Sequence, residues 1–531
     1  MKRKIFLGIV ICLEAFWLRS SAAEAPQPNI VFILTDDLGY GDVHCLNPER
    51  CKIATPCLDK LASQGMTLTD AHSTSAVCSP SRYGILTGRY NWRSALQKGV
   101  LSGYSKPLID ANRLTVAGLL KQNGYTTAAM GKWHLGMGVS KNPQDTKVTD
   151  GPTTRGFDYF FGISASLDMP PFAFIENDHF TEAPTVVKTF KRKGAAAPHF
   201  EAEEMVPILV QKAGEFVAKT KSPFFLYLAL PSPHTPLVPT KEWQGKSGLG
   251  EYGDYVMETD WAVGQVLAAL DKAGVADNTL VLFSSDNGVA PYVGVGPEQL
   301  KQLEGKGFNR QEAEKGGQAR FKELEAMGHF SSGEFRGHKS DIWEGGHRVP
   351  TFVRWPGKVQ AGSTSGQLVS LMDFMATCAD IVQAKLPANA GEDSVSLLPV
   401  FLGKTTTPVR EALVYHSING SFGIQQGNWK LELCAGSGGW GHPNQKESKG
   451  LPPVQLYDMS KDIGERTNEE ASHPEIVARL TKLLEQYVAD GRSTPGPKQT
   501  NDAPINLWKD KGISKGQKAP SDVGFSPDVG D

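Results

Sequence analysis

The run Asn29-Ile30-Val31-Phe32-Ile33-Leu34-Thr35 passes without a break into Asp36 and Asp37, and that junction decides the fold. A continuous apolar run, in place of an alternating one, marks a strand covered on both faces, as in a sheet with helices on either side. Three more runs repeat the design. Thr126–Met130 leads to Lys132 and His134, Pro223–Leu230 leads to His234, and Thr279–Ser285 leads to Asp286 and Asn287. Helical patterns at Cys57–Gln64, Leu114–Asn123, Met205–Lys219 and Tyr255–Ala273 fill the gaps, the last three ending near Gly or a charged turn. The class is therefore α/β, with a large, mostly parallel sheet sandwiched by helices. Ligands in such sheets bind beyond the carboxyl ends of the strands. Four strands delivering acids, an amide, a lysine and histidines at one end thus predict one site.

The chain has 531 residues, enough for a large domain and a smaller one. The main domain is expected over 26–403, with a Lys-, Glu-, Gln- and Gly-rich surface insertion at about 297–333. From Val409 the pattern changes to short strands at Ala412–Tyr415, Phe422–Gln425, Trp429–Leu433 and Gln455–Asp458, then a helix at Pro474–Tyr487. This predicts a smaller C-terminal antiparallel sheet with one helix over 404–491. A loosely ordered tail is expected over 492–531, which is rich in Pro, Gly, Lys and Asp.

Lys2, Arg3 and Lys4 precede the apolar run Ile5–Leu13, and Ser20, Ser21, Ala22 and Ala23 follow. That is the order of a signal peptide, here residues 1–25, and it predicts a secreted or periplasmic protein. No stretch is long enough to span a bilayer. The net charge of -2 supplies no electrostatic reason to expect nucleic acid as a partner. In an oxidising compartment a disulfide among Cys45, Cys51 and Cys57 is expected, with the pairing open.

Cys78 opens the segment Cys78-Ser79-Pro80-Ser81-Arg82, which runs on to Gly88 and Arg89. Pro80 suits the first turn of a helix and Gly88 its end. Cys78 then sits at a helix N-terminus, where the macrodipole favours negative charge, which makes it a candidate low-pKa thiol nucleophile, although a lone cysteine is ordinarily a buried, inert one. Asp36, Asp37, Asp286 and Asn287 form a hard-oxygen set suited to Ca²⁺ or Mg²⁺ and unsuited to zinc.

Cys78-Ser79-Pro80-Ser81-Arg82 resembles the signature of the type I sulfatases of the alkaline-phosphatase-like superfamily. Asp36-Asp37-Leu38-Gly39-Tyr40-Gly41-Asp42, Gly131-Lys132-Trp133-His134-Leu135-Gly136, Pro233-His234-Thr235-Pro236, Ser285-Asp286-Asn287-Gly288, and Lys339 ahead of Trp343-Glu344-Gly345-Gly346 follow in the family's order. The resemblance implies an alkaline-phosphatase-like fold and oxidation of Cys78 to formylglycine by a formylglycine-generating (sulfatase-maturating) enzyme. It also implies one calcium ion on Asp36, Asp37, Asp286, Asn287 and residue 78. The hydrated aldehyde is expected to attack sulfur while His234 protonates the leaving alcohol, and His134 to take a proton as sulfate departs. Lys132 and Lys339 are expected to hold sulfate oxygens, and Arg82 to pair with the residue-78 oxygen and the metal shell.

The expected substrate is a sulfated saccharide. Leaving-group contacts are expected from Asp168, Asn177, Asp178 and His179, or from Arg89, Tyr90, Asn91, Trp92 and Arg93, because binding residues concentrate on loops. Two other readings stand beside this one. A phosphonate or phosphate-ester hydrolase of the same superfamily can share the cysteine signature. A catalytically silent glycan-binding relative would be expected to have lost one of these residues, and all are present.

Overall fold

The computed structural model describes residues 27–221, 223–291 and 319–508. The signal-peptide reading falls outside them, as does most of the 297–333 insertion. No helix among the described residues is long and apolar enough to cross a membrane.

The main sheet is built from β1 (Asn29–Thr35), β2 (Met66–Leu68), β3 (Thr126–Lys132), β4 (Tyr159–Ile163), β5 (Ile175–Glu176) and β6 (His179–Phe180). A separate ribbon, β7 (Val186–Phe190) and β8 (Arg192–Ala196), follows in the chain. The sheet is completed by β9 (Phe224–Ala229), β10 (Thr279–Ser285), β11 (Phe352–Arg354) and β12 (Ser363–Ser365). The strand order is β12-β2-β11-β10-β1-β9-β3-β4-β5-β6. The five central strands β10, β1, β9, β3 and β4 run parallel. β1 is buried along its whole length, as its unbroken apolar run requires. The expected parallel core is thus present, with β4 as a fifth member; its sequence YFFGI is too short to separate from the loop that follows by periodicity alone.

Helices Pro56–Gln64, Val116–Gln122, Met205–Lys219 and Gly250–Lys272 lie within a few residues of their expected positions. Helix α1 (Cys78–Thr87) ends at Gly88 in the left-handed region (φ 63°), the conformation that calls for glycine at a helix end. Four antiparallel strands, Leu413–His416, Phe422–Gln426, Trp429–Glu432 and Gln455–Asp458, form the small C-terminal sheet. Helix Pro474–Asp490 packs on it through Leu480, Leu484 and Tyr487.

Three expectations are corrected. Residues 492–508 are tied down, not loose. Asp502 takes a bidentate contact from Arg89, Asn501 accepts from Arg93, and the Ser493 amide donates to Asp393. The end of the insertion is also not surface: His329 is fully buried and its Nε2 lies 2.8 Å from Asp42. Finally, Cys45, Cys51 and Cys57 are not joined in a disulfide. The Cys51 thiol donates instead to the backbone carbonyls of Asp42 and Ile53.

Candidate active site

The parallel strands converge on one edge of the sheet. β1 delivers Asp36 and Asp37, β3 ends in Lys132 with His134 just beyond, β9 leads to His234, and β10 to Asp286 and Asn287. All are buried. α1 brings the Cys78 thiol within 3.6 Å of Asp36 Oδ1, and Lys339 enters from the segment ahead of the short helix Glu344–His347. Gly131 is needed for this convergence. It sits at φ 101°, and a Cβ there would lie 1.9 Å from the Ala229 carbonyl oxygen.

Three carboxylates face three cations. Lys132 Nζ is 2.6 Å from Asp36, Lys339 Nζ is 2.6 Å from Asp37, and Arg82 is 2.7 Å from Asp286. Arg82 also donates through Nε to Asp286 and through Nη1 to the Lys132 carbonyl. Burial pushes Asp36 up to about 7 and raises Asp37, although Lys132 and Lys339 oppose it. Against the same burial, Arg82 and the two lysines hold Asp286 below the usual range. The lysines therefore leave Asp36 and Asp37 under-compensated.

A divalent cation fits this set. Asn287 Nδ2 donates to Asp37 Oδ1 at 2.7 Å, while its Oδ1 is buried with no partner among the described residues. Oxygens of Asp36 and Asp37 lie within 4.8 Å of each other, of Cys78 Sγ and of a His234 nitrogen. An orphaned amide oxygen beside three carboxylates is the donor chemistry of a hard ion. Three non-glycine residues here have positive φ: Asp37 (65°), His134 (56°) and Ser340 (86°). Backbone strain of this kind costs about 1–3 kcal/mol per residue and collects at functional sites.

Both histidines are neutral, burial and the neighbouring cations holding each well below the usual imidazole range. His134 Nε2 donates to the Leu101 carbonyl at 2.7 Å, which leaves Nδ1 buried, unprotonated and without a partner among the described residues. His234 Nδ1 donates to the Thr235 carbonyl, so Nε2 faces the site 3.7 Å from Asp37. Of the two readings of Cys78, the structure favours the buried cysteine over the low-pKa thiol. Burial, then Asp286, push it well above the usual range, outweighing the lysines. As an unmodified thiol it is a poor nucleophile.

Other residues separate. Asp168 lies past the end of β4, buried, on the site side. Asn177 and His179 do not come to the site. Asn177 caps the opposite end of β4, its Oδ1 accepting from the Phe160 amide, and His179 opens β6, more than half exposed beside Asp178. Arg89, Tyr90, Asn91, Trp92 and Arg93 are buried structural residues, with Arg93 on Asp393 at 2.8 Å. A second group, His72, Glu344 and His347, has metal-ligand composition. Its cation is already supplied, because Lys430 Nζ stands 2.9 Å from Glu344 and 3.2 Å from His347.

Sequence reasoning missed Lys191 and Arg192, which meet Asp168 at 4.0 and 2.5 Å. Their run, Thr189-Phe190-Lys191-Arg192-Lys193, reads as an ordinary surface charge cluster, and no periodicity marks it.

A family model described as Sulfatase matches residues 28–384. An N-acetylgalactosamine-6-O-sulfatase of Bacteroides thetaiotaomicron is 33% identical over 509 residues, covering 88% of this chain and 94% of its own length. Human arylsulfatase A is 31% identical, covering 91% of this chain and 92% of its own. Among solved structures, a 6S-sulf protein of glycosaminoglycan metabolism in Bacteroides thetaiotaomicron superposes with a TM-score of 0.75 at 33% identity, over 87% of this chain and 99% of that one. Another, Ps i-CgsB in complex with k-i-k-neocarrahexaose, gives a TM-score of 0.64 at 25% identity, over 89% and 95%.

Proposed function

The chain belongs to the sulfatase family, whose members hydrolyse sulfate esters, and from that membership we propose that it desulfates a saccharide using formylglycine formed from Cys78 and one calcium ion. The observation that carries the finer reading is the buried cluster of three carboxylates and the orphaned Asn287 oxygen beside residue 78. Asp36, Asp37, Asp286 and Asn287 are the residues that would hold the ion. Calcium would supply charge stabilisation and acidify an oxygen on residue 78, and the hydrated aldehyde would supply two such oxygens on one carbon.

The remaining chemistry belongs to the chain's own side chains. Lys132 and Lys339 hold sulfate oxygens and stabilise charge as the ester breaks. Arg82 fixes Asp286 through two nitrogens and keeps the Lys132 backbone in place through the third. His134 presents a bare Nδ1 to take a proton, and its tautomer is set by the Leu101 carbonyl. His234 Nε2 is the atom at which the leaving alcohol's proton is handled.

A sulfated carbohydrate is the proposed substrate, supported by the relative named for N-acetylgalactosamine 6-sulfate and by the neighbour bound to neocarrahexaose. The basic-then-apolar N-terminus supports export to the periplasm or beyond, with maturation of Cys78 by a formylglycine-generating enzyme. We assign residues 26–403 to the catalytic domain and 404–491 to the small C-terminal one.

Sulfate release from defined sulfated saccharides tests this, using protein whose residue 78 has been identified by peptide mass. Release should vanish in Cys78→Ala and on chelation, and return with calcium. Cleavage of a phosphonate ester but of no sulfate ester would replace the reading with that of a phosphonate hydrolase.

A further inference from the structure

A cleft of about 430 Å³ opens where the segment that carries Lys339 meets the C-terminal domain. Arg336, His338, Asp341 and Trp343 form one wall, and Gly441, His442 and Arg466 form the other. None of the catalytic side chains lines it. Its volume is that of a small-ligand site.

The walls are tied together. The Ile342 amide donates to the Ser437 carbonyl at 2.8 Å, and the Trp440 amide donates to Ser340 Oγ at 2.8 Å. Asp341, fully buried, accepts from the Gly441 amide at 2.8 Å and from His338 Nδ1 at 2.9 Å. A Cβ on Gly441 would lie 2.3 Å from the Asp341 carboxylate, so glycine is what lets that loop approach. Arg336 is fixed as well. Its Nη1 donates to the Glu465 carbonyl at 2.7 Å and to the Tyr457 hydroxyl at 3.3 Å, and its guanidinium lies 3.7 Å over the Trp343 ring. A cleft with walls held in this way asks little further ordering of the protein when a ligand enters.

The lining carries positive charge. Arg336 spends both hydrogen bonds through one nitrogen, so Nε and Nη2 have no partner among the described residues. Arg466 is exposed, and its guanidinium makes neither a hydrogen bond nor an ion pair among the described residues. The neighbouring carboxylates are engaged elsewhere: Glu432 and Glu465 on Lys430, Glu447 on His442, and Asp462 on the amides of Arg466 and Thr467. Even with both histidines neutral, two arginines in the lining face the single carboxylate of Asp341. Guanidinium donors in a planar fork suit an oxyanion.

The cleft also lies beside the catalytic centre. His338 directly precedes Lys339, whose Nζ is 2.6 Å from Asp37. Covalent geometry alone keeps the His338 Cα within about 10 Å of that ammonium. A group bound in the cleft is therefore one or two sugar units from a sulfate held by Lys339.

We propose that this cleft binds an anionic unit of the saccharide chain, a uronate or a second sulfated sugar, beyond the sugar whose sulfate is removed, with Arg336 and Arg466 as its contacts. The inference rests on the sulfatase reading, and the experiment separates the two. Matured wild type is first given singly sulfated sugars, beginning with N-acetylgalactosamine 6-sulfate. Release from none of them counts against the sulfatase reading and removes the inference with it. Calorimetry then measures binding to Cys78→Ala protein, which cannot turn over. The probes are three trisaccharides that end in the sugar found to be desulfated, extended by neutral units, by units including a uronate, or by units including a second sulfate. At least one charged extension should bind about tenfold more tightly than the neutral one, as one charge-assisted contact supplies. Adding Arg466→Ala, on an exposed side chain, should erase that difference, and Arg466→Lys should retain part of it. A gain confined to the uronate probe assigns a carboxylate, a gain confined to the doubly sulfated probe assigns a sulfate, and a gain in both assigns a general oxyanion site. Equal binding of all three, or a difference unchanged in Arg466→Ala, overturns the proposal.

Discussion

Replacing Lys430 with Met should cost about 3–5 kcal/mol of stability, the penalty for removing one partner of a buried ion pair. Lys430 is fully buried on the third strand of the C-terminal sheet. Its ammonium donates to Glu344 at 2.9 Å, Glu465 at 2.7 Å and the Ile342 carbonyl at 3.2 Å, with Glu432 at 3.4 Å. Burial holds Glu465 and Glu432 above the usual carboxylate range, while Lys430 holds Glu344 well below it against the same burial. Methionine replaces the stem with little change of volume, so the loss is electrostatic and not a cavity. Arg348, 2.9 Å from Glu344, keeps one partner for that carboxylate, which sets the expected cost near the lower bound. About 3 kcal/mol is roughly a hundredfold in the unfolding equilibrium. The segment from Lys339 to His347 hangs on this hub, because Glu465 also accepts from the Glu344 amide at 2.7 Å. Sulfate release should therefore fall together with stability. Urea unfolding followed by circular dichroism measures the first quantity. A loss below about 1 kcal/mol, or additivity of Lys430→Met with Glu465→Gln to within about 0.5 kcal/mol, would refute the reasoning.

Other outcomes follow from single contacts. Glu258 is fully buried, its Oε2 accepts from the Thr240 amide at 2.9 Å, and burial pushes it up from 4.5 to about 7. The folded state thus keeps a proton that the unfolded chain releases, and stability falls as pH rises from about 4.5 to 7. Glu258→Gln should gain up to about 3 kcal/mol at pH 8 and nothing at pH 4, checked by urea unfolding at both. Ending the chain after Gly491 removes the Asp502 and Asn501 contacts from buried Arg89 and Arg93 and should lower the thermal midpoint, with Asp502→Ala giving a smaller part of the loss. Dithiothreitol should leave the thermal midpoint unchanged, since Cys45, Cys51 and Cys57 are free; a fall would reveal a disulfide. Asn177→Ala and His179→Ala should keep kcat/KM within about twofold, whereas Asp168→Asn should raise KM.

The catalytic edge could be read from sequence because each chemical residue is attached to its own apolar run. Asp36 and Asp37 follow β1 directly, Lys132 closes β3, and Asp286 follows β10, so naming the strand places the residue. Cys78 and Gly88 bracket a helix by local chemistry alone. Residues whose role depends on distant partners leave no such trace. Lys430 reads as a strand lysine until Glu344 and Glu465, which lie 86 and 35 positions away, close around it. Arg89 and Arg93 resemble a sugar-binding cluster until Asp502 and Asp393 claim them. Asn177 was expected at the site because it follows β4 in sequence, but the antiparallel return of β5 carries it back to the other end of the sheet. Lys191 is hidden for the same reason, since only the β7–β8 turn brings a basic surface run onto Asp168.

The charge arithmetic of the site gives these placements a common reason. Three buried carboxylates and three buried cations sum to zero, and in that state Lys132 and Lys339 rest on Asp36 and Asp37. A neutral, internally paired centre has little to offer a sulfate. A divalent cation on the same carboxylates would leave two positive charges in excess and weaken the hold of Asp36 and Asp37 on their lysines, the condition for binding a sulfate ester in a low-dielectric pocket. Arg82 stays on Asp286 in either case, because two of its nitrogens converge on Asp286 Oδ2 and its third is committed to the Lys132 carbonyl. The division is therefore between one cation that holds the framework and two that are available to substrate. It predicts that Arg82→Lys loses folding stability together with activity, while Lys339→Ala, with a divalent cation compensating Asp37, loses activity and keeps the fold.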